Sequence, residues 1–165
     1  MRVSRRQAVA AIAVTSMAPS RVSAVAPAAT AESNRRTARR YVQDVLVSGQ
    51  IGVMDEIVAP DIMIGSPGGA AGIVNVKATV AASILALNAG FPGFQIDIDG
   101  VVADANAVAH RLTLRGIHRG EFAGIAATNR SVSTVMVAFY EFTDGMIDGL
   151  WSMVNSDDLL LQLMP

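Results

Sequence analysis

The chain has 165 residues, 52% hydrophobic and only 16% charged, with 13 basic and 14 acidic side chains for a formal charge of −1. That length suits one domain; with no cysteine there are no disulfides, thiolate metal sites or cysteine nucleophile, and two histidines argue against a dedicated zinc site. A near-neutral balance argues against nucleic acid, because phosphate binding needs clustered Lys and Arg.

The first 31 residues read as a leader rather than as structure. Arg2, Arg5 and Arg6 make a basic start, and Ala8 to Ala18 is an uncharged apolar run, shorter than the roughly 20 residues a bilayer span needs. Val22-Ser23-Ala24 and Ala29-Thr30-Ala31 are small-x-small sites, and cleavage is expected after Ala31. The run Ser4-Arg5-Arg6-Gln7-Ala8-Val9 resembles a twin-arginine signal, so export to the periplasm or beyond is expected, leaving a mature domain over 32–165 with no stable membrane span. The leader holds four of the 13 basic residues and none of the 14 acidic ones, so the mature domain carries −5. Nucleic acid becomes a still poorer partner.

From Ser33 or Asn34, either able to cap, Ala38, Tyr41, Val42, Val45 and Leu46 recur at helical spacing until Gly49 supplies a stop. The four arginines Arg35, Arg36, Arg39 and Arg40 read as a solvated face. A short helix over Val53–Val58 ends at Pro60, and Ile62–Ile64 form a brief strand. The loop Gly65–Gly72 lacks the Lys and Ser/Thr of a phosphate loop and reads as a pocket rim. A third helix spans Ile73–Ala89 and stops at Phe91-Pro92-Gly93.

The period then changes to two. Phe94, Ile96 and Ile98 share one face of a strand, and Val108, His110, Leu112 and Leu114 share one face of the next. A third strand runs from Ser131 to Thr143, with Val132, Met136, Tyr140 and Phe142 on its richer face. Asp144-Gly145 is a hairpin turn signal, Met146–Asn155 the return strand, and Ser156 caps a closing helix over Asp157–Leu163. Helices followed by mainly antiparallel strands make an α+β fold: a curved, antiparallel or mixed sheet with three N-terminal helices on its concave face. Such a cone leaves a cavity for a small apolar ligand.

Phe91-Pro92, the stretch GIHRGEFAG from Gly116 to Gly124, Ala127-Thr128-Asn129-Arg130, Asp144-Gly145-Met146-Ile147, Trp151 and Gln162-Leu163 together resemble the SnoaL-like polyketide cyclases of the nuclear transport factor 2 superfamily. The resemblance covers about Asn34 to Met164. It implies a cone-shaped α+β barrel, commonly a homodimer, whose cyclase members close rings by aldol chemistry without metal or organic cofactor. A carboxylate removes a proton, and a donor such as the motif histidine, here His118, polarises a carbonyl.

The departures from the family pattern fall on that chemistry. No acid lies between Arg130 and Glu141, where cyclase members place their aspartate; the usual Glu two before the Trp is Gly149; Asn155 replaces a common Asp, and Gly65 a pocket His or Asn. Asp148 is one residue off the family's acid position, which on a regular strand puts it on the other face.

His118 is the best polar candidate, since continuing the alternation from Leu112 and Leu114 points it inward; His110 reads as a structural, hydrogen-bonded histidine. His118 and Asp148 are therefore the candidate catalytic residues, and Trp151, Tyr140, Tyr41 and Asn155 the candidate ligand contacts, with Trp151 aligned with Ile147 at the cavity wall. Glu121 could reach the pocket mouth. No metal and no cofactor is expected. Three functions follow: cofactor-free cyclisation, isomerisation or lyase chemistry on a small hydrophobic carbonyl compound; non-catalytic binding of a small hydrophobic ligand; or a dimeric interaction domain.

Overall fold

The computed structural model describes residues 28–65, 72–73 and 76–164. The expected export signal up to residue 27 and the Gly- and Ala-rich rim over 66–71 lie outside the described residues.

The first helix, α1, spans Ala28–Arg40 and so starts upstream of the expected cap at Ser33 or Asn34. Ala28, Ala29 and Ala31 are strong helix formers with nothing to stop them, and the expected cleavage point after Ala31 falls inside this helix. Asn34 does not cap; its Nδ2 donates to the Ala105 carbonyl at 3.0 Å and ties α1 to the sheet. From Tyr41 to Val47 the helix continues with π geometry instead of the α geometry its spacing predicts, and the Ser48 N–H bonds the Gln43 carbonyl five residues back at 3.0 Å. Three β-branched valines in those seven residues weaken the α-helical hold. Gly49, at φ 68°, ends the segment as expected.

A single-turn α2 (Met54–Ile57) leads into β1 (Val58–Gly65), longer than the predicted Ile62–Ile64. Then come β2 (Gly72–Ile73), α3 (Val76–Gly90), β3 (Gln95–Ala103), β4 (Ala107–Ile117), β5 (Ser131–Thr143), β6 (Met146–Val154) and α4 (Ser156–Leu163). They form a six-stranded sheet in the order β2-β1-β6-β5-β4-β3. Only the β1–β6 pair is parallel; the others are antiparallel. The β5–β6 turn is Asp144-Gly145, both residues at positive φ (52° and 81°), the conformation a two-residue hairpin needs.

Alternation divides the sheet into two faces. On β5, Val132, Thr134, Ala138, Tyr140 and Phe142 are buried beneath the helices, while Val135, Val137 and Phe139 point outward. The helices contribute Ala38, Tyr41, Val42 and Val45, then Val80 and Ile84 of α3, then Leu159 and Leu163 of α4 to the same core. Each fully buried aliphatic side chain contributes about 1.5–3 kcal/mol.

One irregularity re-aims β6. Phe142 pairs with Ile147 but Glu141 pairs with Gly149, so Asp148 is an extra residue in the strand. Beyond this bulge the alternation is inverted: Leu150 faces inward opposite Tyr140, and Trp151 faces outward opposite Phe139. Trp151 therefore shares a face with Met153 and Val137 and not with Ile147, contrary to the unbroken alternation read from the sequence.

Candidate functional site

At one end of the concave face, β4 passes into a loop that is built around His118. The His118 N–H donates to the Arg130 carbonyl at 2.9 Å, and the Asn129 N–H donates to the His118 carbonyl at 2.8 Å, so the β4–β5 ladder continues one step past the strand ends. The loop is then fastened to the end of α3, where the amides of Arg119 and Gly120 both donate to the Gly90 carbonyl, at 2.9 and 3.1 Å. Gly120 lies so close that any side chain there would run into the Ala89 carbonyl. That contact is the physical requirement behind the second glycine of the GIHRGEF stretch.

The His118 side chain is wholly buried and packs against Phe91, ring centres 5.2 Å apart. Its Nδ1 lies 3.0 Å from Thr128 Oγ1 and accepts the Thr128 backbone N–H at 3.3 Å. A nitrogen that accepts an N–H holds a lone pair, so the neutral ring carries its proton on Nε2. That Nε2 is buried and has no partner among the described residues. The result is a donor fixed in tautomer and direction, with no acceptor among the described residues.

A second polar cluster lies under α1. His110, Tyr140 and Tyr41 are buried together, with His110 and Tyr140 edge to face at 5.3 Å and Tyr41 and Tyr140 edge to face at 5.7 Å. His110 Nδ1 and the Tyr140 hydroxyl also lack partners among the described residues. The hydrogen-bonded structural role expected for His110 is thus not what surrounds its Nδ1. Burial, with the Arg39 charge adding to it, pulls His110 down to about 4; burial pushes both tyrosine hydroxyls above their ordinary range. His110 and His118 are eight residues apart on an extended chain, about 26 Å at the rise of a β-strand. The candidates assembled from sequence as one pocket therefore divide into two groups.

The remaining candidates lie elsewhere. Asn155 is exposed and caps α4, its side chain accepting the Asp158 N–H at 3.2 Å, so the cap is one residue earlier than Ser156. Asp148 is half-buried in the bulge, and Glu121 is exposed. Among side chains described, no Asp or Glu is buried. Thr134, early on β5, is buried with its hydroxyl donating to the Asn155 carbonyl at 3.2 Å. An open cleft of about 590 Å³ is lined by Gln95, Arg115, Arg119, Ser131, Ser133 and Gln162 among others. Among the described residues no three His, Asp or Glu converge as metal ligands, and no helix is long and apolar enough to cross a membrane.

Sequence reasoning missed Thr128 as the partner of His118 and the pairing of His110 with Tyr140. The first is ten residues away across a loop, and the second requires the β4–β5 register, which puts His110 diagonally across from Tyr140.

Comparison with known proteins supports the fold. Solved structures with the same fold include a proposed SnoaL-like polyketide cyclase from Jannaschia sp. CCS1 (18% identity, 83% of this chain and 95% of that one, TM-score 0.72). AclR, a proposed hydroxylase from Streptomyces galilaeus, is similar too (22% identity, 81% and 82%, TM-score 0.70). So is an LEH-like epoxide hydrolase of M. tuberculosis (16% identity, 81% and 90%, TM-score 0.58). At such identities the likeness speaks for the fold alone, and the three names span three chemistries. No curated protein matches the sequence. The family model for SnoaL-like polyketide cyclases matches residues 36–163, from α1 through α4 and including the loop that holds His118, and the chain belongs to that family.

Proposed function

We propose that this domain binds a small, largely apolar carbonyl compound between its helices and sheet, with His118 Nε2–H donating to the carbonyl oxygen. The observation that carries the reading is the buried, unpartnered Nε2 of a ring whose other nitrogen is held by Thr128. A buried donor without an acceptor costs free energy, and a ligand oxygen removes that cost. Polarising a carbonyl also acidifies the adjacent carbon, which is the first requirement of cofactor-free cyclisation, isomerisation or lyase chemistry.

Such chemistry also needs a base. His118 cannot be one while its Nδ1 is engaged and its Nε2 protonated, and no Asp or Glu among the described side chains is buried. That absence favours a second reading, a binding module without turnover.

Two measurements separate them. Affinity for 1-tetralone and for tetralin, its hydrocarbon counterpart, is measured in the wild type and in His118→Phe, which keeps a ring against Phe91. The wild type should prefer the ketone about tenfold, worth about 1.4 kcal/mol, and the variant should not discriminate; equal preference in both proteins sinks the His118 role. Exchange of the ketone's α-hydrogens with deuterated solvent above the buffer rate supports catalysis; none supports binding.

The outer sheet face supports a homodimer, since Val135, Val137 and Phe139 are exposed together with Met153 (51%, 43%, 39% and 53%). Light scattering should give twice the chain mass, and a monomer at micromolar concentration removes the proposal. Export rests on Arg5-Arg6 and the apolar run after it; recovery of the unprocessed chain from the cytoplasm removes that.

A further inference from the structure

The cluster under α1 carries an inference of its own, which goes beyond the His118 reading. Tyr140 and His110 are on neighbouring strands, both wholly buried, and the Tyr140 hydroxyl and His110 Nδ1 both lack partners among the described residues. One unpartnered buried polar atom is uncommon in a folded protein; two on touching side chains point to a shared partner that bridges them. The backbone above them supplies a second observation. Tyr41, edge-on to Tyr140, opens the π-helical segment, and π geometry concentrates at functional sites.

The chemistry of the partner follows from the lining. At neutral pH both groups are uncharged, since burial holds the phenol protonated and the imidazole neutral. No Asp or Glu among the described side chains is buried to offset a cation, and Arg39, whose charge acts on His110, is exposed. A charged guest would be buried unpaired at high cost. A phenol hydroxyl both donates and accepts, and a neutral imidazole nitrogen does one or the other. Ala38 and Val42 flank Tyr41 on the helix and Val108 pairs with Tyr140 across the strands, and all three are buried, which limits the guest to a small molecule.

We propose that Tyr41, His110 and Tyr140 form a second binding site, separate from His118, which holds the hydroxyl or carbonyl oxygen of one small neutral molecule, water being the smallest. Tyr140 and His110 hydrogen-bond the guest's oxygen, and Tyr41 closes over it.

The test is Tyr140→Phe, which removes one oxygen and leaves the ring. If a guest bridges the two atoms, the variant loses a hydrogen bond and Tm falls by about 3 °C. If the hydroxyl is unpartnered in solution, its removal relieves a buried unsatisfied group and Tm rises, which overturns the proposal. A crystal structure of the full chain is the second measurement: density within hydrogen-bond distance of both atoms supports the site, and its absence overturns it. Native mass spectrometry separates the sources. A bare chain mass alongside such density identifies water, whereas an added mass that disappears in Tyr140→Phe identifies an organic guest. His118→Phe changes a different cluster, held by Thr128, and should leave the density between Tyr140 and His110 in place, so failure of one site is distinguishable from failure of the other.

Discussion

The two histidines of this chain lie on one strand and its extension, face the same interior, and each have a buried ring nitrogen without a partner among the described residues. What differs is the other half of each ring's surroundings. Thr128 holds Nδ1 of His118 from the backbone, so the tautomer is set and Nε2 is a donor. Among the described residues nothing holds Nδ1 of His110, whose ring lies edge to face with Tyr140; burial, with the Arg39 charge, keeps it neutral while its tautomer is left to whatever occupies the site. A histidine's chemistry therefore depends less on its burial than on whether a neighbouring N–H or carbonyl has already claimed one nitrogen.

That contrast can be broken from either end. The largest effect is expected from Gly120→Ala, because the new methyl group would meet the Ala89 carbonyl. The loop must move, and stability should drop by about 3 kcal/mol in chemical denaturation. NMR signals of His118 should shift while those of His110 and Tyr140 stay in place; uniform shifts would show that the two ends are coupled.

Acid tests the other histidine. His110 takes a proton near pH 6.5 when unfolded but only near pH 4 when folded. Between those values the unfolded chain binds the extra proton, so stability is complete above pH 6.5 and is lost as pH falls toward 4, by up to about 1.4 kcal/mol per pH unit. His110→Gln should flatten that part of the stability curve, and an unchanged slope would refute the assignment.

The smallest effect sharpens the comparison. Thr128→Val removes the hydroxyl 3.0 Å from His118 Nδ1 but keeps the backbone N–H that sets the tautomer. Preference for 1-tetralone over tetralin should shrink about threefold, roughly 0.7 kcal/mol, with stability nearly unchanged. Complete loss of the preference would mean that the hydroxyl, and not the backbone, orients the ring.

Much of the fold was legible because its strands alternate. The period-two run from Ser131 to Thr143 coincides with β5, and Asp144-Gly145 forms the turn where its residue types require one. β1 was largely hidden: it pairs in parallel with a strand more than 80 residues later, a contact with no local signature, and it contains Pro60. The inward direction of His118 followed from Leu112 and Leu114. The outward direction of Trp151 did not, because it depends on a bulge at Asp148. Gly149, beside that bulge, is covered by the Glu141 side chain from β5. Asn155 was assigned to the ligand, yet it caps α4, a role that its place just before Ser156-Asp157-Asp158 fits equally well.

By itself the sequence determined the α+β class, the order of the main elements and the inward placement of His118, because each rests on periodicity or on turn residues that act within a few positions; the family rests on a resemblance of motifs. Tertiary structure alone decided which residues meet: Thr128 on His118, Tyr41 and Tyr140 around His110, and Trp151 turned to the outer face. The physical reason is that tautomer, burial and strand register are set by partners distant in sequence. Those partners divide one apolar interior into two polar sites, each with a hydrogen bond still to be made.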